Sequence, residues 1–267
     1  MRKTRSSTCT LAGALALYLA AASAAPAASE FSARALLDDT AQYFTAPIRW
    51  DAADWTQFGV SVAAIGVAHA FDGSTRTHFV RNISEPLSGK DKHSTRDALP
   101  AVALVAGTFV YATLIDDHDG YSETRAMLEA GVFSAASGAI LKLASGRKRP
   151  NETASPNEWR AGGDAFPSVH SSAAFAIGTV FAESGNDEYR WIRRIVGYGA
   201  ATATAYIRVH DNAHWLSDSV AGAALGIATA QFVLNRQDTG SHRRRGNLQL
   251  QAQGDGWMLS YTASIKP

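Results

Sequence analysis

The sequence predicts an all-α protein, a six-helix core bundle with a short C-terminal β-hairpin. Three observations predict it. Six apolar segments of helical length run over about 58–71, 98–115, 122–143, 169–183, 190–207 and 215–235. Glycines and polar turns punctuate them. One stretch near the C-terminus alternates in polarity with a period of two, the pattern of a strand.

Taken in order, the chain opens on a basic run, Met1 to Arg5, followed by an apolar stretch from Leu11 to Ala22 and a cleavage-like Ala22-Ser23-Ala24. Residues 1–24 read as a secretory signal peptide. The single cysteine, Cys9, lies inside it, so the mature chain has no thiol. Cys9 also precedes the apolar stretch, which argues against a lipoprotein anchor. Residues 25–57 form an N-terminal amphipathic helix and linker: Glu30 to Phe44 carries Leu37, Ala41 and Phe44 along one face, and Asp51 to Trp55 reads as a loop. The helical domain covers 58–236, with a loop from Ser84 to Asp97. Within it, the acidic run Asp116 to Asp119 precedes Gly120 at the end of an apolar segment and reads as a solvated loop rather than a metal site. In the tail, 237–267, Leu248 to Gln253 alternates, Gly254-Asp255-Gly256 can turn, and Trp257 to Ile265 continues as a strand.

The 267 residues suffice for one substantial core. A formal charge of +1 suggests no polyanion such as nucleic acid as partner, and removing the leader leaves 22 basic against 24 acidic side chains. Membrane insertion is harder to read. Two segments approach the roughly 20 residues a spanning helix needs, but 58–71 is short and mean hydropathy is −0.10. If all six segments spanned after an exported N-terminus, the polar loops after the third and fifth would return to the cytoplasm, and export would not serve them. The basic residues Arg190 to Arg194 point the other way. The expectation is a periplasmic bundle, soluble or membrane-associated.

Three polar clusters carry the chemistry. Lys142 is separated from Arg149-Pro150 by six intervening residues, Pro167-Ser168-Val169-His170 forms the second, and Arg208, His214 and Asp218 are spaced by six and four. Phosphoryl transfer spreads negative charge over a transition state, so a site must supply fixed donors and positive charge. Lys142, Arg149 and Arg208 supply it without a metal or cofactor, and a guanidinium can give an oxyanion two parallel bonds. Ser168 adds a hydroxyl, and a helix opening at Ser168 to His170 would aim free amides at an anion. His214 and Asp218, four apart on one helical face, suit a nucleophile and its orienter. His170, in another segment, suits a general acid. Alone, each cluster has a plainer reading: a basic helix end, an N-cap, a surface pair. Their joint occurrence in one order is what favours a site. His210 and Asp211 are second-rank candidates for the pocket mouth, and His69 and His78 read by default as packed or exposed histidines.

The three clusters resemble the type 2 phosphatidic acid phosphatase superfamily, which also includes bacterial class A acid phosphatases and vanadium haloperoxidases. There the pattern reads Lys, six residues, Arg-Pro; then Pro-Ser-Gly-His; then Ser-Arg, five residues, His, three residues, Asp. The resemblance implies that family's helical fold. It implies phosphate binding by Lys142, Arg149, Ser168, the Val169 amide and Arg208, and catalysis by His170 as acid, His214 as nucleophile and Asp218 as its partner. The activity implied is metal-independent hydrolysis of phosphate monoesters or diphosphates through a phosphohistidine. The implied partner is a phosphorylated substrate, of the lipid class (phosphatidate, polyprenyl diphosphate or lipid A type). Two positions depart: Val169 stands where the family has Gly, which would strain a positive φ, and Ile207 stands where it has Ser. The alternatives are a vanadium-dependent haloperoxidase and a non-catalytic exported anion- or lipid-binding protein.

Overall fold

The first helix, α1, is Ala33–Thr45; the computed structural model describes residues 33–82, 95–185, 188–237, 247–253 and 256–262. The predicted leader, Glu30 to Ser32, most of the predicted 84–97 loop and the predicted turn residues Gly254 and Asp255 lie outside them. Tyr43 docks α1 on the bundle: it stacks on Phe133 with centroids 5.1 Å apart, and its hydroxyl meets Thr229 at 2.8 Å and Ser137 at 3.0 Å.

Helix α2, Ala52–Ala70, begins where a loop was expected. Asp51 is its N-cap, and Asp51 and Asp54 form a reciprocal capping box. The two aspartates that look like loop residues therefore start the helix, which is longer than the predicted 58–71. Helix α3, Asp72–Asn82, was not predicted at all. Its composition is too polar for an apolar period, and it is fixed instead through the buried Asp72, whose carboxylate accepts from the Ser217 amide at 2.8 Å.

The remaining helices follow the predicted segments: α4 Leu99–Ile115, α5 His118–Ser145, α6 Val169–Glu183, α7 Arg190–His210 and α8 Leu216–Gln237. Asp116, in the left-handed conformation, caps α4, and the Asp117 side chain caps α5, so the acidic run is a helix-to-helix hinge. No cluster with metal-ligand character occurs among the described residues. Strands β1, Asn247–Gln253, and β2, Gly256–Thr262, pair antiparallel with Leu250 opposite Leu259.

Helix α6 is the centre of the bundle, packed by α5, α7 and α8. Small residues permit this. A Cβ on Gly178 would lie 2.5 Å from the Gly197 carbonyl, and one on Gly197 would lie 2.4 Å from that of Gly178, so α6 and α7 touch backbone to backbone. The core is Ala126, Met127, Ala130 and Phe133 of α5 with Ala176, Val180, Ala230 and Val233.

The outer helices are different. Along α2 only Ala68 is buried, and along α4 only Ala101 and Ala112. Trp55, Phe58, Val67, Val102, Val110, Tyr111 and Leu114 are exposed. Among the described residues two helices, α5 and α8, are long and apolar enough to cross a membrane, but roughly half of each apolar window (44% and 50%) is buried inside the bundle.

Candidate active site

Four helix ends meet at one pole of the bundle, and each carries part of the site. At the C-terminus of α5, Gly146 adopts φ 54° and its amide bonds the Lys142 carbonyl, a left-handed cap that turns the chain toward Arg147 and Arg149. The returning strand of this loop bonds back through the Ala161 and Gly163 amides to the Gly146 carbonyl and through Ala165 to Arg147. Ser168 then caps α6, accepting from the Ser171 amide at 3.4 Å and the Ser171 hydroxyl at 3.0 Å. Both contacts use Oγ as acceptor, so its own proton remains available. The first amides of α6, at Val169 and His170, open the helix without an intrahelical acceptor, as first-turn amides do.

The third cluster has an equally local cause. Helix α7 ends through Asn212 at φ 51°, and the amides of Ala213 and His214 both bond the Arg208 carbonyl at 3.1 Å. The spacing of Arg208 and His214 is thus one helix cap, which folds His214 back beside Arg208. His214 precedes α8 rather than sharing its face with Asp218, a correction to the helical reading of that pair. Asp218 lies in the first turn, where Oδ2 accepts the Trp215 amide at 2.9 Å. The Ser168 amide bonds the Asp218 carbonyl at 2.9 Å, tying the second cluster to the third.

Each cation has a carboxylate or carbonyl that aims it. Arg149, 5% exposed, makes a two-pronged pair with Asp164 (2.6 and 3.0 Å) and bonds the Ala213 carbonyl at 3.1 Å. Lys142 donates to the Asp164 carbonyl. Arg208, buried, pairs with Asp97 just ahead of α4. Arg208 Nε and Asp97 Oδ1 have no hydrogen-bond partner among the described residues, so a buried donor is left over that an oxyanion would satisfy.

His214 is 2% exposed and its Nδ1 lies 3.6 Å from Asp218 Oδ2, longer than a hydrogen bond. Burial, then the positive charges of Lys142, Arg149 and Arg208 and the ring of His170, hold its pKa well below the ordinary imidazole value. Burial also pushes Asp218 up to about 6, outweighing the adjacent Arg147. Burial, and next Arg149, bring Lys142 down to about 7.

The model of the PAP2 superfamily matches residues 124–240. The PAP2 segment contains all eight positions singled out in the sequence, whereas Asp72 and Asp97 lie outside it. A relative, the lipid A 1-phosphatase of Porphyromonas gingivalis, is 31% identical over 119 residues, which is 45% of this chain and 22% of that protein. The chain therefore spans about a fifth of that relative's length. The transmembrane PAP2 type phosphatidylglycerolphosphate phosphatase of Bacillus subtilis, a solved structure, is similar with a TM-score of 0.40 at 17% identity, covering 88% of this chain and 98% of that one.

Within the PAP2 segment, Val169 is not strained. It is the first residue of α6 and has no positive φ. Its side chain fits because position 138 is glycine: a Cβ there would meet Val169 Cγ2 at 3.0 Å. Ile207 contributes its carbonyl to the cap of α7. His210 pairs with Asp211 at 2.9 Å and packs on Phe79 and Tyr206, with both members of the pair partly exposed. His69 is no idle surface histidine, since its Nδ1 lies 3.0 Å from Asp72 and 3.1 Å from Arg147. The sequence reading missed Arg147, Asp72, Asp97 and Asp164. The first sits inside the Lys142 to Arg149 spacing, directly after the capping Gly146, and that was the available signal.

Proposed function

We propose that this chain is a phosphoric ester hydrolase that removes phosphate from lipid phosphates without a metal, through a phosphohistidine on His214. The observation that carries the reading is that Arg149 donates to the Ala213 carbonyl and the Arg208 carbonyl accepts the His214 amide, while Lys142, Arg149, Arg208 and His170 all act on the buried His214. Asp218 holds the proton on His214 Nδ1, leaving the Nε2 lone pair to attack phosphorus; the 3.6 Å gap closes as substrate charge draws a positive imidazole. The P–O bond to the leaving group breaks as His170 gives its proton to the departing alkoxide. His170 then takes a proton from water, which attacks the phosphohistidine and releases inorganic phosphate. The cationic side chains and the first amides of α6 hold the equatorial oxygens throughout.

A lipid suits the surroundings of the cradle. Leu143, next to Lys142, is 88% exposed, and Leu99 and Val102, just after Asp97, are 60% and 55% exposed. An acyl chain would cover these residues while its headgroup reached the cations. The lipid A 1-phosphatase relative points to the same class. The reading extends to an exported protein, freed of residues 1–24, whose bundle rests against a membrane through the apolar faces of α2 and α4. Its working core is the six longest helices, with the C-terminal hairpin as an appendage. The experiment is phosphate release by the purified mature chain from lipid and soluble phosphates, with and without detergent. Release from lipid phosphates at least about tenfold more efficient than from soluble esters is expected, and release from neither would overturn the reading.

Two further outcomes follow. His170→Ala should slow phosphoenzyme formation most for poor leaving groups, because good ones need no proton; equal slowing for both would contradict the acid role. The pH profile of kcat/KM should be a narrow bell. Below about 6 Asp218 takes a proton and releases His214, and above about 7 Lys142 loses its charge. His214 stays neutral across this window, as a nucleophile must. The alkaline limb of kcat should lie higher than that of kcat/KM, since bound phosphate raises Lys142; coincident limbs would argue that Lys142 does not face the anion.

A further inference from the structure

We propose that Arg147 and Asp72 are positioning residues for Asp218, forming a buried clamp that aims its carboxylate at His214. The clamp rests on the proposed role of His214 and joins three separate elements. Arg147, in the loop after α5, is fully buried, with its guanidinium 4.5 Å from the Trp159 ring centroid and 5.3 Å from that of Trp215. One terminal nitrogen donates to Asp218 Oδ1 at 2.5 Å and to Ser217 Oγ at 2.8 Å. The other donates to Asp72 Oδ2 at 2.6 Å and to the Pro156 carbonyl at 2.8 Å. Asp72, from the start of α3, completes the ring, accepting from the Ser217 amide at 2.8 Å and the Ser217 hydroxyl at 2.6 Å. His69 closes the outer side, with Nε2 2.9 Å from Asn157 Oδ1.

The consequence falls on one oxygen. Oδ1 of Asp218 is committed to Arg147, so Oδ2, fixed by the Trp215 amide, is the oxygen that faces His214. The clamp also sets charge. Arg147 and Lys142 favour the ionised carboxylate, while Asp72 opposes it. Arg149, Arg208 and His170 act on His214 on the other side, and His69 faces Asp72. A carboxylate buried this deeply would otherwise take up a proton near neutrality and lose its hold on the imidazole. A buried ion pair that only joined α3 to the bundle would need neither the bond from Arg147 to Asp218 Oδ1 nor this balance.

The test uses two variants that load the clamp oppositely. Arg147→Lys keeps a charge but loses the fork, so the acid limb of kcat/KM should move to higher pH and kcat should fall on the order of 10–100-fold, as when other outer supports of a site are lost. Asp72→Asn leaves Arg147 wholly on Asp218, so the acid limb should move to lower pH. If Asp72→Asn does not fold, Ser217→Ala, which removes the hydroxyl bridge from Asp72 to Arg147, should move the limb the same way by less. Nitrogen NMR of histidine-labelled protein gives a readout that needs no turnover: His214 should carry its proton on Nδ1 in the wild type and on both nitrogens in exchange in Arg147→Lys. Limbs that move together or not at all, or an unchanged His214 tautomer, overturn the proposal. A wild type that releases no phosphate yet shows the tautomer change would sink the proposed function and leave the clamp standing.

Discussion

His214→Ala should lower the rate of phosphate release by at least about 10⁴-fold while inorganic phosphate still binds. The imidazole is the group proposed to form the bond to phosphorus. The anion cradle does not depend on it. Arg149 is held by Asp164 and the Ala213 carbonyl, Arg208 by Asp97, and Lys142 by the Asp164 carbonyl. Phosphate binding measured by calorimetry should therefore survive, and a melting curve would check that the buried cavity left by the truncation has not unfolded the bundle. Loss of binding together with turnover would place His214 in the scaffold instead.

Asp218→Asn is expected to have the second largest effect, on the order of 10⁴ in kcat, by analogy with the loss of the orienting carboxylate in a serine protease triad. The amide can donate to Nδ1, which moves the proton to Nε2, the atom that must attack. It also leaves Arg147 with one ionic partner, Asp72, where it had two. The residual activity should lose the acid limb near pH 6, because the group that titrates there is gone. Steady-state rates across pH check this, and a retained limb at that position would assign the titration to another group.

Much of the proposed site was legible because local geometry writes it into spacing. A left-handed cap at Gly146 explains why Lys142 and Arg149 recur across six residues, and the Asn212 cap explains Arg208 and His214. Helix periods likewise marked five of the helices, α4 to α8, closely. The failures share a cause. Asp72, Asp97 and Asp164 aim the cations from segments remote in sequence, and a lone aspartate ahead of a helix looks the same whether it caps or clamps. Helix α3 is polar and is held through the buried Asp72 carboxylate and through Arg76, which donates to the Pro150 carbonyl, rather than by a regular apolar face. The expected strain at Val169 did not arise, because the residue starts a helix with an ordinary φ and faces a glycine.

Rapid quench with a phosphorus-labelled lipid phosphate, followed by mapping of acid-labile label on the protein, tests the central claim most directly. The account predicts label on His214 in the wild type, accumulating in His170→Ala with a poor nucleophile, and none in His214→Ala. Label on His170 or on any other residue, or turnover with no protein-bound phosphate at any time point, would contradict it.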